Sequence, residues 1–105
     1  MAESNLEPTR RLIALRKASE AHTRLAEVRH AWSLWAQTRP YAQQLAPILE
    51  QVAGAVHTLS DSTADHWSAA TVLRSAVQAC DGMTRAELVH ARQAMHDAYQ
   101  QIAGN

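Results

Sequence analysis

The amino-acid sequence predicts an all-α protein, an antiparallel four-helix bundle with a long first helix and a proline-kinked second helix. Three observations carry this prediction. Residues of high helix propensity dominate a chain of 105 residues that has only three glycines and three prolines. Apolar residues recur at spacings of three and four along most of the chain. Capping residues, turn residues and an Arg-Pro pair divide these patterns into four segments.

The first predicted helix covers residues 8–38, because Pro8 suits a first helical turn and the residue before Pro40 disfavours helical dihedral angles. The second helix covers about residues 40–60. Pro47 lies inside it and removes one backbone donor, which predicts a kink in the preceding turn.

The stretch "SDSTAD", in which Ser62 and Asp65 have the spacing of a capping box, supplies N-cap residues for a third helix over 63–80, which Gly82 should end in a left-handed conformation. The spacing of Thr84 and Glu87 is that of a second capping box, which predicts a fourth helix over 84–103. Each helix has a stripe of apolar residues, so the four should pack around one core.

The composition predicts one domain, residues 1–105, with a thin core. The hydrophobic fraction is 47%, but 21 of these residues are alanines, which bury little area. A thin core favours association with a second chain, which would bury additional apolar surface. We therefore expect a protein that works bound to another protein or to a second copy of itself.

Charge and cysteine content narrow the class of protein further. Residues 1–40 carry seven basic and four acidic side chains, whereas residues 41–105 carry three basic and six acidic ones. The first part is therefore positive and the second negative, and the formal net charge of the chain is zero. The start of the chain has no apolar signal segment and no stretch approaches a membrane span, which predicts a cytoplasmic protein. The single Cys80 is expected to be a small buried hydrophobe.

Several large apolar residues lie away from the predicted core stripes. Heptad positions place Ile13 and Leu34 on the outer line of the first helix, and Trp67 lies far around the third helix from its apolar face. Trp32 and Trp35 fall on or beside the main stripe, and we interpret them as residues at a boundary between core and interface. Because tryptophan is enriched at binding hot spots, these five residues are the predicted protein-binding surface.

The stretches "EVRH" and "ELVH" form two Glu-x-x-His motifs, and in this they resemble the ferritin-like di-iron bundles. That resemblance implies inward-facing ligands. Glu27 lies on the outer line of the first helix, and Glu87 is expected to cap the fourth helix. The chain also lacks a second pair of inward carboxylates, so we expect no metal and no other cofactor, and a metal-binding bundle is the weakest alternative.

The stretch "SAVQACDGMTRAELVHARQAM" has the helix, glycine turn and helix order of a helix-turn-helix, which makes a DNA-binding regulator the main alternative. Gln78 stands where close packing prefers a small residue, and the chain has no net positive charge to attract phosphates. No nucleophile elbow, phosphate loop or Cys-His spacing is present, so we expect no enzymatic activity.

Together these patterns predict a small bacterial, cytoplasmic helical protein that binds another protein, such as a transcription regulator, and that forms a homodimer. The expected role is that of a regulator or adaptor of the anti-activator or inhibitor type, with no catalysis. Neither a membrane nor a nucleic acid is expected as a partner.

Overall fold

The computed structural model describes residues 6–104, which form four α-helices joined by short connections and contain no strand. A single turn of 3₁₀ helix, Ala86–Leu88, precedes the last α-helix. The α-helices are α1 (Pro8–Ser33), α2 (Arg39–Ser60), α3 (Trp67–Met83) and α4 (Val89–Ala103). The predicted all-α bundle is confirmed, while the predicted domain ends, residues 1–5 and 105, lie outside the described residues.

The first helix begins at the predicted residue but ends earlier than predicted. Glu7 caps α1, because its carboxylate accepts hydrogen bonds from the backbone N–H groups of Thr9 and Arg10 at 3.0 and 3.3 Å. At the other end α1 stops at Ser33, five residues before Thr38. At 1.5 Å per residue, α1 is then only about 6 Å longer than α2. It is still 9 residues longer than α3 and 11 longer than α4, so the prediction of a long first helix fails only against α2.

The second helix is continuous from Arg39 to Ser60 and includes Pro47. Its buried side chains recur at helical spacing and face the other helices: Ala42, Leu45, Ile48, Leu49, Val52, Ala55 and Leu59. The predicted kink near Pro47 remains a prediction. The large aliphatic side chains of α2 compensate for the alanines that dominate the buried face of α1.

Both predicted capping boxes are wrong. Asp65 rather than Ser62 accepts a hydrogen bond from the first turn of α3, at the Trp67 N–H, and α3 begins four residues later than predicted. Gly82 lies within α3, which ends at Met83, and the left-handed residue that caps it is instead Thr84, with a φ of 50°. That conformation is unfavourable for a β-branched residue. The Thr84 hydroxyl donates to the Met83 carbonyl and does not cap the following helix.

The four helices pack against one another in chain order, α1 on α2, α2 on α3, α3 on α4 and α4 on α1. The bundle measures 53 Å by 22 Å by 17 Å. Every helix contributes at least one leucine or isoleucine that is fully shielded from solvent: Leu25 from α1, Leu45 and Leu59 from α2, Leu73 from α3 and Ile102 from α4. Such residues supply most of the apolar burial, because the alanines between them contribute little area.

Each end of the bundle is closed by contacts between chain segments that are distant in sequence. At one end, which we call the Trp32 end, the indole N–H of Trp32 lies 3.4 Å from the carboxylate of Glu87. At the other, the His66 end, the Leu6 backbone N–H donates to the ring of His66 at 3.1 Å. The Arg11 guanidinium also donates to the Leu59 carbonyl at the His66 end, at 2.8 Å.

Candidate protein-binding site

Two tryptophans three residues apart occupy opposite environments at the Trp32 end. Trp32 is 4% exposed and belongs to the core, whereas Trp35 is 67% exposed. Leu34, which lies between them, is 59% exposed. The connection from residue 34 to residue 38 therefore presents two large apolar side chains to solvent. We call Leu34 and Trp35 the apolar tip.

The apolar tip is held in place by hydrogen bonds on both sides. The Thr38 hydroxyl donates to the Trp32 carbonyl at 2.7 Å, and the Arg39 side chain donates to the Ser33 carbonyl at 3.3 Å. These are carbonyls that the end of α1 would otherwise leave without partners. The Trp35 carbonyl accepts from the backbone N–H groups of Thr38 and Arg39. The turn is thus a defined structure rather than a loose loop.

A cation–π cluster supports the turn from inside. The guanidinium carbon of Arg85 lies 4.5 Å from the ring centre of Tyr41 and 5.3 Å from that of Trp32. The two rings meet edge to face, with their centres 6.2 Å apart. The cluster thus joins the end of α1, the first turn of α2 and the residue that precedes the 3₁₀ turn before α4. Arg85 follows the left-handed Thr84, so the strained turn directly precedes the cation that completes the cluster.

Glu87 completes the polar side of this cluster. Its carboxylate lies 3.8 Å from the Arg85 guanidinium and accepts from the indole of Trp32. A hydrogen bond from its own backbone N–H lowers the pKa of Glu87, and the Trp32 indole and the charge of Arg85 lower it further. The carboxylate is consequently charged at neutral pH and balances the guanidinium beside it.

The predicted contact residues do not form one surface. Leu34 and Trp35 are adjacent and exposed. Trp32 was predicted to belong to the same surface, but it is buried in the core and is not available to a partner. Ile13 is half-buried and lies 21 residues before Leu34, about 32 Å away along the helix. Trp67, 45% exposed, follows His66 at the far end of the bundle. Binding roles for Ile13 and Trp67 stay predictions.

Sequence reasoning missed Arg85 and assigned Glu87 to a cap. The contact between Trp32 and Glu87 joins residues 55 positions apart, so no local spacing signals it. The only hint in the sequence is general, namely that arginine stacks on aromatic rings. Cys80 is buried as expected, and its burial raises the pKa of the thiol to about 11, which disfavours the reactive thiolate.

The Glu-x-x-His motifs do not converge. Glu27 is exposed and lies 3.9 Å from Arg24, and Glu87 faces the tryptophan and arginine described above. Within residues 6–104 no group of three or more histidine, cysteine, aspartate or glutamate side chains is placed to hold a metal ion. The arrangement of these residues thus offers no inward-facing ligand set of the kind that the di-iron bundles use.

The geometry defines a class, a small four-helix bundle with an apolar tip at one end. No family model, curated protein or solved structure matches the chain. In the described part of the chain no helix is both long enough and apolar enough to cross a membrane.

Proposed function

We propose that this chain is a small helical protein-binding regulator or adaptor, of the anti-activator or inhibitor type, and that it contacts its partner through the apolar tip. The observation that carries this proposal is the exposure of Leu34 and Trp35 on a turn whose backbone is hydrogen-bonded on both sides. The proposal includes a cytoplasmic location, a bacterial source and self-association as a homodimer.

The physical reason is the free-energy cost of binding. Binding must order both the loops and the side chains at an interface, which costs about 0.5–1.5 kcal/mol for each immobilised side chain. The Thr38 and Arg39 hydrogen bonds and the cluster around Arg85 already order the backbone that bears Leu34 and Trp35. Burial of an exposed tryptophan and leucine would then contribute more of its apolar free energy to affinity.

The experiment uses the position of Trp35. A photoreactive phenylalanine analogue replaces Trp35 in the full-length protein inside its native host, and irradiation is followed by mass spectrometry of the adducts. The matched control places the same analogue at Leu12, which is 55% exposed at the opposite end of α1. We expect a discrete adduct from position 35, with another protein or with a second copy, and none of that mass from position 12.

The same experiment can overturn the proposal. The same adduct in equal yield from positions 35 and 12 would mean that the apolar tip is not the specific contact surface. An adduct from position 12 with none from position 35 would have the same meaning. A position 35 adduct with a second copy would identify the contact as the homodimer interface. An adduct with a different protein would instead identify the regulated partner.

The alternative, a helix-turn-helix that binds DNA, has less support from the charges. Arg85 lies against Tyr41 and Trp32, and Arg92 forms a hydrogen bond of 2.8 Å with Asp81. Both arginines of the would-be recognition segment are therefore engaged within the molecule, where they contribute little to phosphate binding. We expect no binding to duplex DNA tighter than the micromolar non-specific range at physiological salt. A sequence-dependent gel shift at nanomolar protein would reverse this ranking.

A further inference from the structure

His66 is the one polar side chain that is buried among the described residues, at 1% exposure. Its ring contacts two segments that are far apart in sequence. The Leu6 backbone N–H donates to Nδ1 at 3.1 Å, and Nε2 lies 2.6 Å from the Asp61 carbonyl oxygen. Leu6, five residues from the start of the chain, lies in the hydrophobic core although it precedes α1. The ring therefore connects the segment before α1 to the loop between α2 and α3.

These two contacts determine which nitrogen carries the proton. A carbonyl oxygen can only accept a hydrogen bond, so Nε2 must donate to Asp61. A backbone N–H can only donate, so Nδ1 must accept from Leu6 and must carry no proton. The contacts are satisfied by one form of the ring alone, the neutral ring with its proton on Nε2. A second proton on Nδ1 would place two donors against each other.

We propose that His66 is a proton-sensitive latch, which holds Leu6 in the core while the ring is neutral and releases it when Nδ1 becomes protonated. Histidine is the side chain whose charge ordinarily changes between about pH 5 and pH 8, so mild acid can operate such a latch. Release would remove Leu6 from the core and open an apolar surface beside the exposed Trp67. This device is independent of the apolar tip at the opposite end.

Charges of both signs lie near the ring. The N-terminus of α3, at which His66 lies, carries a positive partial charge. The Asp61 carboxylate belongs to the adjoining loop, and hydrogen bonds from the side chain and backbone of Thr63 lower the pKa of Asp61, so this carboxylate keeps its charge in mild acid. The charged or titratable side chains at this end include Glu7, Arg10 and Arg11 on or before α1, His57 on α2, Asp61 and Asp65 in the loop, and His96 and Tyr99 in the last turns of α4.

Several of these groups are already paired with neutral atoms. Arg10 donates to the Gly104 carbonyl at the end of α4, and Arg11 donates to the Leu59 carbonyl. Glu7 is bonded to the backbone of the first turn of α1. None of these pairings involves the His66 ring. The hydrogen bond from the Leu6 N–H to Nδ1, unlike these pairings, requires an unprotonated ring nitrogen.

The test is amide hydrogen exchange of Leu6, measured by NMR on the full chain at about pH 7.5 and about pH 5 and corrected for the intrinsic pH dependence of exchange. We expect protection at the higher pH and a loss of protection of at least about tenfold at the lower one. The matched variant is His66→Asn, because an amide oxygen can accept from the Leu6 N–H but does not titrate in this range. Its Leu6 protection should be the same at both values of pH.

Equal Leu6 protection in the wild type at both values of pH would overturn the latch, as would a loss of protection in His66→Asn equal to that in the wild type. If His66→Asn does not fold, a measurement on the wild type alone still tests the proposal. The nitrogen chemical shifts of the imidazole at about pH 7.5 should show a proton on Nε2 and none on Nδ1. A ring with a proton on Nδ1 would contradict the proposal.

Discussion

The two ends of the bundle are closed by different chemistry, and each leaves one tryptophan exposed. The Trp32 end is closed by a guanidinium that lies against two aromatic rings, beside a carboxylate. The His66 end is closed by backbone groups that bond to two arginines and to one imidazole. Trp35 is exposed next to the first closure, and Trp67 is exposed next to the second.

The two ends differ in whether the charge of the closing side chain depends on pH. Arginine keeps its charge at every physiological pH, so the cluster that supports the apolar tip has the same form throughout that range. A neutral histidine can change its charge within that range. We infer that the Trp32 end is suited to a contact that is always available, and the His66 end to one that can be altered.

The largest expected effect comes from replacing the buried tryptophan. Trp32→Ala should lower the free energy of unfolding by about 3–5 kcal/mol, because it leaves a cavity and removes the ring against which Arg85 lies. Trp35→Ala, the same change three residues away, should lower it by less than about 0.5 kcal/mol, as expected for a surface site. Urea denaturation measures both. Equal losses would mean that the two tryptophans share one environment.

Leu25, on the α1 stripe between the two ends, provides a reference that involves neither closure. Leu25→Ala should cost about 2–5 kcal/mol of stability, because this side chain is completely shielded from solvent in the bundle core. Partner binding per folded molecule should not change, since Leu25 is completely buried and cannot touch a partner. Thermal denaturation and a binding titration of the same sample would test this. A large loss of affinity in the fully folded variant would indicate that the core itself transmits the contact.

Arg85→Met should have a smaller effect that is confined to the Trp32 end. Methionine keeps much of the apolar volume but removes the charge from the faces of Trp32 and Tyr41, at a cost of about 1 kcal/mol. Hydrogen exchange should increase at the backbone of residues 34–38 and remain unchanged at Leu6. Increased exchange at both ends would show that the closures are not independent.

The smallest effect concerns pH at the Trp32 end. The pKa of Glu87 is lowered in the folded protein, so its interaction with Trp32 is complete above the ordinary glutamate pKa of about 4.3 and is lost as the pH falls through the lower folded value. The NMR shift of the Trp32 indole N–H should therefore stay constant from about pH 7.5 to about pH 5, the interval used for the Leu6 exchange measurement. A change in the Trp32 indole shift within that interval would show that the Trp32 end also responds to pH, contrary to the difference proposed between the two ends.

The fold was predictable from the sequence because helix propensity and apolar spacing are local signals. The start of α1 and the end of α2 agree with the prediction for that reason. Helix ends that depend on distant contacts were not predictable. Nothing near Ser33 indicates that α1 stops there, since the Thr38 hydroxyl that bonds the Trp32 carbonyl belongs to the following turn.

The candidate site was partly predictable. Exposure of Leu34 followed from its place off the core stripe, and exposure of Trp67 followed from its angle on the helix. Trp32 and Trp35 could not be separated by periodicity, because residues three apart lie on nearly the same helix face when the helix continues through both. The early end of α1 places one in the core and the other on the turn.

The central claim, that the apolar tip binds a protein, is tested most directly by the dissociation constant of a Leu34→Lys variant. The titrant is the partner identified by the position 35 adduct, or a second copy if the adduct is a dimer. Lysine suits the C-terminal end of a helix, so the variant should lose less than about 1 kcal/mol of stability. We predict that it binds more than tenfold more weakly, about 1.4 kcal/mol, while Leu12→Lys binds as the wild type does. Unchanged affinity, or a Leu34→Lys protein that melts far below the wild type, would contradict the account.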